Sequence, residues 1–373
     1  MNVLVITDYY LPHWTGISKS LSYTLQTIKK KHSVTVLTIK YKKELAASEL
    51  INGVQIIRLP YLLTFSRSKF SPFFWIHTLP YLTQADVVLV NSPSAHIFPL
   101  SILVKLLGKR LIVLHQGDLI LPKGFVNFLI EKLFDFCTLF SLFLADSIAT
   151  FTFDYAKNSR VLKPFINKST SFIPVLPSDR NNTPSPLRDR LIKIKKKHRV
   201  LFGFGGRFVE EKGFDILLKA VPKVISAIPS AHFLYAGEHT IQYEKFYDSI
   251  RKYYEPVKKN ITELGLLSDN DLGTFYSYLD FVIIPSRSDC FPFFQAEAMA
   301  KGIPSIVSDI AGARYLVKIS GFGYIFKTED SEDLSSTLIK AYKNKGKLNK
   351  YYAPLKKLLD PHSNEKRIIE FIG

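Results

Sequence analysis

The amino-acid sequence predicts an α/β chain made of two doubly wound domains, 1–178 and 199–373, joined by a linker at 179–198. Three observations predict this. A chain of 373 residues is longer than one hydrophobic core usually organises. Short apolar runs alternate with helical segments through both halves, as in strand–helix–strand units on a parallel sheet. Between the halves lies SDRNNTPSPLRDRLIKIKKK (178–197), polar, broken by Pro184 and Pro186 and ending in a basic cluster. That composition suits a linker with a short helix at 187–197.

The first half opens with VLVITDYY (3–10), a strand with polar residues at its end. No basic region precedes its apolar run, so it does not read as a signal peptide. A loop containing Gly16 leads into a helix over Ser18–Ile28, and a glycine there lets backbone approach an anionic ligand. Further strands are expected at 33–39, 54–59, 86–91, 111–118, 146–151 and 170–176. The segment HQGD puts His115 and Asp118 at the carboxyl end of its strand, the edge where open α/β sheets bind ligands. A neutral imidazole there can hydrogen-bond a hydroxyl, although a histidine in such a place also serves as a structural strut. Residues 60–82 mix aromatics with Arg67 and Lys69, and residues 124–143 are apolar almost all round but include Glu131, Lys132 and Asp135. Core packing is one reading; an interfacial patch with cations on anionic headgroups is the other.

The second half restarts with RVLFGFGGRFVEEKGFDILLKAV (199–221): a strand, a tight loop and a helix. Gly203, Gly205 and Gly206 do not complete a dinucleotide fingerprint, because the third glycine would fall at Phe208. Arg207 and Lys212 are two cations in a strand-to-helix loop, which suits a diphosphate. Strand-then-loop segments follow at 231–238 and 261–272. Asp269-Asn270-Asp271 opens a helix, where acids favour the dipole, and is not taken as a metal site.

Residues 281–308, FVIIPSRSDCFPFFQAEAMAKGIPSIVS, form one strand–loop–helix–strand unit. The helix start gathers free N–H groups around Cys290, Phe291, Pro292, Phe293 and Phe294, which favours a phosphate. Asp289 and Glu297 flank that spot. Ionised carboxylates only accept hydrogen bonds, so they suit the hydroxyls of a sugar.

This unit resembles the signature of the retaining glycosyltransferases of family 4, which have the GT-B architecture of two Rossmann-like domains facing each other across a cleft. The family pattern E-x7-E-A-M-A-x-G-x-P stands here as Asp289, seven residues, Glu297, Ala298, Met299, Ala300, Lys301, Gly302, Ile303 and Pro304, with Asp in place of the first Glu. The family's G-R-x4-K-G segment stands as Gly206, Arg207, Lys212 and Gly213, and its first-loop Gly-Gly pair stands as Thr15-Gly16. The resemblance is strong over 199–326 and loose over 1–178. It implies that Arg207 and Lys212 hold the donor phosphates, that Glu297 takes the ribose hydroxyls and Asp289 the sugar hydroxyls, and that Gly16 and Gly206 lie against the donor. It places His115 and Asp118 on the acceptor side of the cleft, near the transferred sugar. It further implies metal-independent transfer with retention, from a nucleotide-diphosphate sugar as co-substrate and with no bound cofactor. Surface polysaccharide or glycolipid synthesis is the implied setting, and the last helix is expected to cross back to the first domain.

The formal net charge is +18, distributed as +10 over 1–178, +5 over 179–198 and +3 over 199–373. A basic first half points to an acidic partner such as anionic lipid or a phosphorylated acceptor; nucleic acid lacks a supporting aromatic–basic motif. Two cysteines, Cys137 and Cys290, make no disulfide framework and suit a reducing cytoplasm. No apolar run is long enough to span a bilayer, so the expected location is the cytoplasm or the inner face of the membrane. The competing readings are a GT-B phosphorylase or epimerase, and a non-catalytic protein that binds sugar nucleotides or nucleic acid.

Overall fold

The computed structural model describes residues 1–13, 15–65, 68–121, 124–177, 186–238 and 246–373. The chain forms two compact units, one of Met1–Val175 with Pro361–Gly373 and the other of Leu176–Asp360.

In chain order the first unit contains β1 (Asn2–Ile6), α1 (Gly16–Ile28), β2 (Ser33–Ile39), β3 (Ser48–Ile51), β4 (Val54–Leu59), β5 (Leu63–Phe65), β6 (Ser68–Phe70), α2 (Phe74–Gln84), β7 (Val87–Ser92), α3 (Ile97–Leu106), β8 (Arg110–His115), α4 (Phe125–Leu144), β9 (Ser147–Thr150), α5 (Phe153–Asn158) and β10 (Ser169–Ser171). Its sheet has the order β10-β9-β8-β7-β1-β2-β4-β3. All pairs are parallel except β3 on β4, an antiparallel edge strand. The central strands are buried on both faces, which is why they read as unbroken apolar runs such as VVLV and LIVL. One face packs Leu21, Leu25 and Ile28 of α1 with the C-terminal Ile368 and Ile372. The other packs Leu100 and Val104 of α3 and Leu142 of α4.

The second unit contains α6 (Pro186–Lys197), β11 (Val200–Gly205), α7 (Phe214–Ala227), β12 (Ala231–Ala236), α8 (Phe246–Tyr254), β13 (Ile261–Glu263), α9 (Asp269–Tyr278), β14 (Phe281–Ile284), α10 (Phe293–Ala300), β15 (Ser305–Ser308), α11 (Ala311–Ser320), β16 (Gly323–Phe326), α12 (Ser331–Lys343) and α13 (Tyr352–Leu358). The order β13-β12-β11-β14-β15-β16 is parallel throughout, with the reversal between β11 and β14. Phe202, Phe233 and Phe281 stack across three adjacent strands at 5.3 and 5.6 Å. The last helix, α14 (Pro361–Ile372), belongs to the first unit, where Arg110 donates to the carbonyls of Ile372 at 2.6 Å and Phe371 at 3.1 Å. A cation on those otherwise unpaired carbonyls fixes the helix end.

Several elements differ from their expected extent. Strand 3–10 ends at Ile6, strand 111–118 ends at His115, and strand 170–176 shrinks to Ser169–Ser171, since Pro174 and Pro177 beyond it lack the ladder N–H. β3, the β5–β6 hairpin and β16 have weak sequence signals: they are three or four residues long, and β3 is half exposed. Of the expected linker, 179–185 lie outside the described residues. Pro186–Lys197 is a helix of the second unit, with Leu191 fully buried and Leu187 and Ile194 packed beside it.

Candidate functional site

The strands β11 and β14 are neighbours, and their carboxyl ends bring together the loops 206–213 and 285–292. Gly213 makes this approach possible. It is left-handed at φ +65°, and a Cβ there would fall 1.9 Å from the Pro285 carbonyl oxygen. The loops are then tied by Arg287, whose N–H donates to the Glu211 carbonyl at 2.8 Å. Its guanidinium forks onto Asp215 of α7 at 2.8 and 2.9 Å, reaches the Glu210 carbonyl at 2.8 Å and meets Glu329 at 2.8 Å. Burial pushes the Asp215 carboxyl up, but Arg287 and Lys219 outweigh it and hold the group below the usual carboxylate range.

On this scaffold Lys212 Nζ lies 2.6 Å from Asp289 Oδ2. Burial works against the Lys212 ammonium, yet Asp289 and Glu211 reverse that and raise its pKa, so the side chain is charged at neutral pH. Asp289 is held from behind by α11: a Cβ on Gly312 would fall 2.0 Å from the Asp289 carbonyl oxygen, so that helix start needs a glycine. Arg207, half exposed, pairs with Glu211 at 3.6 Å. Burial and the Asp289 charge push the Cys290 thiol far up, which makes it a poor nucleophile.

Helix α10 starts after Pro292, and no side chain caps it. In an α-helix the first N–H groups have no intrahelical acceptor. Phe291 and Phe293 pack edge-to-face at 5.2 Å, and Phe294 lies against Tyr276 at 5.3 Å and Phe275 at 6.0 Å. Glu297, one turn along α10, is buried, and its Oε2 accepts from the Tyr276 hydroxyl of α9 at 2.9 Å. Gly206 stands at the tip of the β11 loop; its N–H donates to Ala236 at 3.0 Å and its carbonyl accepts from Tyr235 at 2.7 Å.

In the first unit His115 and Asp118 meet directly, His115 Nε2 to Asp118 Oδ1 at 3.2 Å. The other ring nitrogen of His115 lies 3.1 Å from Ser92 Oγ. Asp118 also accepts from Ser159 Oγ at 2.6 Å and from the Arg160 N–H at 2.8 Å. Burial raises the Asp118 carboxyl, but these donors prevail and lower it below the usual range. The pair is thus a buried, mutually satisfied unit at the end of β8. Gly16 opens α1 behind Thr15, whose hydroxyl forms a capping box with Ser18, and among the described residues a Cβ on Gly16 would meet nothing within 4 Å. The sequence Asp269-Asn270-Asp271 opens α9, where Ser268 caps the Asp271 N–H.

Sequence reasoning missed Tyr276, Arg287, Asp215, Tyr235 and Gly312. Their partners are remote in sequence, 72 positions for Arg287 and Asp215, and no local pattern announces such a pair.

Residues 188–357 match the family model "Glycosyl transferases group 1". The chain is 22% identical over 332 residues, 83% of its own length and 68% of the relative's, to the phosphatidylinositol N-acetylglucosaminyltransferase GPI3 subunit of Saccharomyces cerevisiae. It is 29% identical over 140 residues, 36% of this chain and 35% of the relative, to a GDP-mannose-dependent monoacylated alpha-(1-6)-phosphatidylinositol monomannoside mannosyltransferase of Corynebacterium glutamicum. Anabaena Alr3699/HepE in complex with UDP shares the fold, with a TM-score of 0.75, 14% identity and 99% of both chains covered. Residues 188–357 thus resemble the group 1 glycosyltransferases, and the chain has the GT-B fold.

Proposed function

We propose that this chain is a group 1 glycosyltransferase that takes its sugar from a nucleoside-diphosphate donor held at the ends of β11 and β14 and delivers it, with retention of configuration, to a hydroxyl of a glycan or lipid-linked acceptor. The observation that supports this most is the gathering of Lys212, Arg207 and the uncapped start of α10 beside Asp289 and the buried Glu297. The leaving diphosphate gains negative charge as its bond to the anomeric carbon breaks. Fixed cations and N–H groups offset that charge, with no metal assigned to the step; losing one such group typically costs about 10²–10³ in rate. Glu297 accepts from the ribose hydroxyls and Asp289 from the sugar hydroxyls. The acceptor oxygen forms the new bond to the anomeric carbon, and its proton passes to the departing phosphate oxygen. His115 and Asp118 belong on the acceptor side, where their mutual bond holds the end of β8 in place.

A lipid-linked acceptor is supported by α4. Only Thr138, Ser141 and Leu142 of its 20 residues are buried. Phe125, Val126, Leu133, Phe136 and Phe143 are each more than half exposed. An apolar helix face of this kind, with Lys132 among it and a first half at +10, suits an anionic membrane surface. No helix among the described residues is long and apolar enough to cross a membrane. The names of the two curated relatives point to phosphatidylinositol-based acceptors for those proteins. We place this enzyme at the inner face of the cell membrane.

The test is nucleotide-dependent thermal stabilisation by UDP, GDP, ADP and CDP, followed by transfer from the matching labelled nucleotide sugars to lipid and glycan acceptors. One nucleotide is expected to stabilise the protein, and Arg207→Ala to abolish the shift. No shift with any of the four at millimolar concentration would sink the donor-site reading.

A further inference from the structure

The two residues expected to serve different parts of the donor are engaged with each other. Lys212, the cation for the diphosphate, is neutralised by Asp289, the acceptor for the sugar hydroxyls, at 2.6 Å. Both side chains are mostly buried, 24% and 12% exposed, so the pair is weakly screened by solvent. Neither backbone is free to retreat. Gly213 is wedged against Pro285, Arg287 binds the carbonyls of Glu210 and Glu211, and Gly312 abuts the Asp289 carbonyl. The contact is therefore a fixed feature of the loops and not a chance meeting of two surface side chains.

We propose that Asp289 is the internal counter-ion of Lys212 and makes the site discriminate a nucleotide sugar from the bare nucleoside diphosphate, an inference that rests on the donor-site reading above. An incoming diphosphate must take Lys212 from Asp289 and then sit beside an uncompensated carboxylate. That carboxylate repels the anion and loses its own hydrogen-bond donor. A bare nucleoside diphosphate offers nothing in return. A nucleotide sugar brings hydroxyl donors to the vacated carboxylate oxygen and restores its hydrogen bond. Phosphate and sugar recognition are thus coupled through one ion pair. The same coupling disfavours the product diphosphate once its sugar has gone, so it promotes product release. The short Asp side chain, in place of the Glu usual in the family pattern, reaches Lys212 from a loop that Gly312 holds close.

The experiment is calorimetric binding of UDP, GDP, UDP-glucose and GDP-mannose to the full chain and to Asp289→Asn, Asp289→Ser, Lys212→Ala and Arg207→Ala. Asp289→Asn and Asp289→Ser are expected to bind the nucleoside diphosphate more tightly, by roughly tenfold, and the corresponding nucleotide sugar no better or worse. The ratio of the two affinities then collapses. Lys212→Ala should weaken both ligands. If either neutral variant binds the nucleoside diphosphate no more tightly than the parent while Lys212→Ala still weakens it, the counter-ion role is overturned and the donor site stands. If Lys212→Ala and Arg207→Ala leave binding of every nucleotide unchanged, the donor-site reading falls and this inference with it. Melting curves of each variant identify a folded protein, and the Ser variant replaces the Asn variant should one of them not fold.

Discussion

The Tyr276 hydroxyl donates to Glu297 Oε2 at 2.9 Å, from a helix 21 positions earlier in the chain. Tyr276 is 2% exposed and its ring packs edge-on against Phe294 at 5.3 Å, so aromatic packing sets where the hydroxyl points. Glu297 is buried with it, and a buried carboxylate keeps its position through such donors. Tyr276→Phe keeps the ring and removes one donor. Donor KM is expected to rise by about tenfold with little change in melting temperature, since a hydrogen bond to a charged group contributes about 1.5 kcal/mol. A rise in KM that vanishes with a 2′-deoxyribose donor would place the effect on the ribose; an unchanged KM would remove Tyr276 from the site.

Arg287 and Asp215 clamp the two site loops from below. Arg287→Ala breaks a largely buried fork and should cost roughly 2 kcal/mol in denaturant unfolding, discounted for the partial exposure of Arg287. Arg287→Lys keeps charge and loses the fork, so activity should fall more than stability. The folded Asp215 carboxyl titrates below its ordinary range. Its contribution is therefore present above the unfolded value, near pH 4, and is lost as pH falls through the folded value. The stability advantage of the parent over Asp215→Asn should shrink below about pH 4 in pH-dependent melts.

A second pH effect comes from the other edge of the same unit. His232 stacks on His198 at 4.2 Å, and burial followed by the His198 charge lowers its pKa to about 4. Here the unfolded chain binds the proton first, so stability is full above about pH 6.5 and falls as pH drops toward 4. The loss is on the order of 3 kcal/mol at most. Urea midpoints at pH 7 and 5 should differ for the parent and converge for His232→Gln; equal midpoints in the parent would contradict the buried neutral imidazole.

Gly312→Ala places a methyl where 2.0 Å separates it from the Asp289 carbonyl. The loop must shift, and transfer is expected to fall by about tenfold or more because reacting groups tolerate little displacement. Nucleotide binding through Arg207 should survive better than turnover, which separate Kd and kcat measurements will show.

Phe136→Glu with Leu133→Glu alters two residues of α4 that are 59% and 61% exposed. Exposed positions usually change stability by less than about 0.5 kcal/mol, so the melting temperature should hold. Sedimentation with vesicles containing anionic phospholipid should show strong loss of binding, while nucleotide affinity stays the same. Undiminished vesicle binding would dismiss this face as the membrane contact.

What the sequence by itself determined is the part governed by local chemistry. Apolar runs buried on both faces announced the central strands of both sheets, and the spacing of Arg207, Lys212, Asp289 and Glu297 marked the strand ends where the donor site is proposed. Tertiary structure alone decided how those groups are held. That Lys212 rests on Asp289, that Tyr276 holds Glu297 and that His115 meets Ser92 are contacts between segments 21 to 77 positions apart. Local periodicity carries no record of such pairs, because a side chain's partner is set by which strands neighbour one another. The face of α4 makes the same point in reverse. Its sequence is equally apolar whether buried or bare, and only the packing of α3 and α4 on the sheet shows that most of that face lies outside the core.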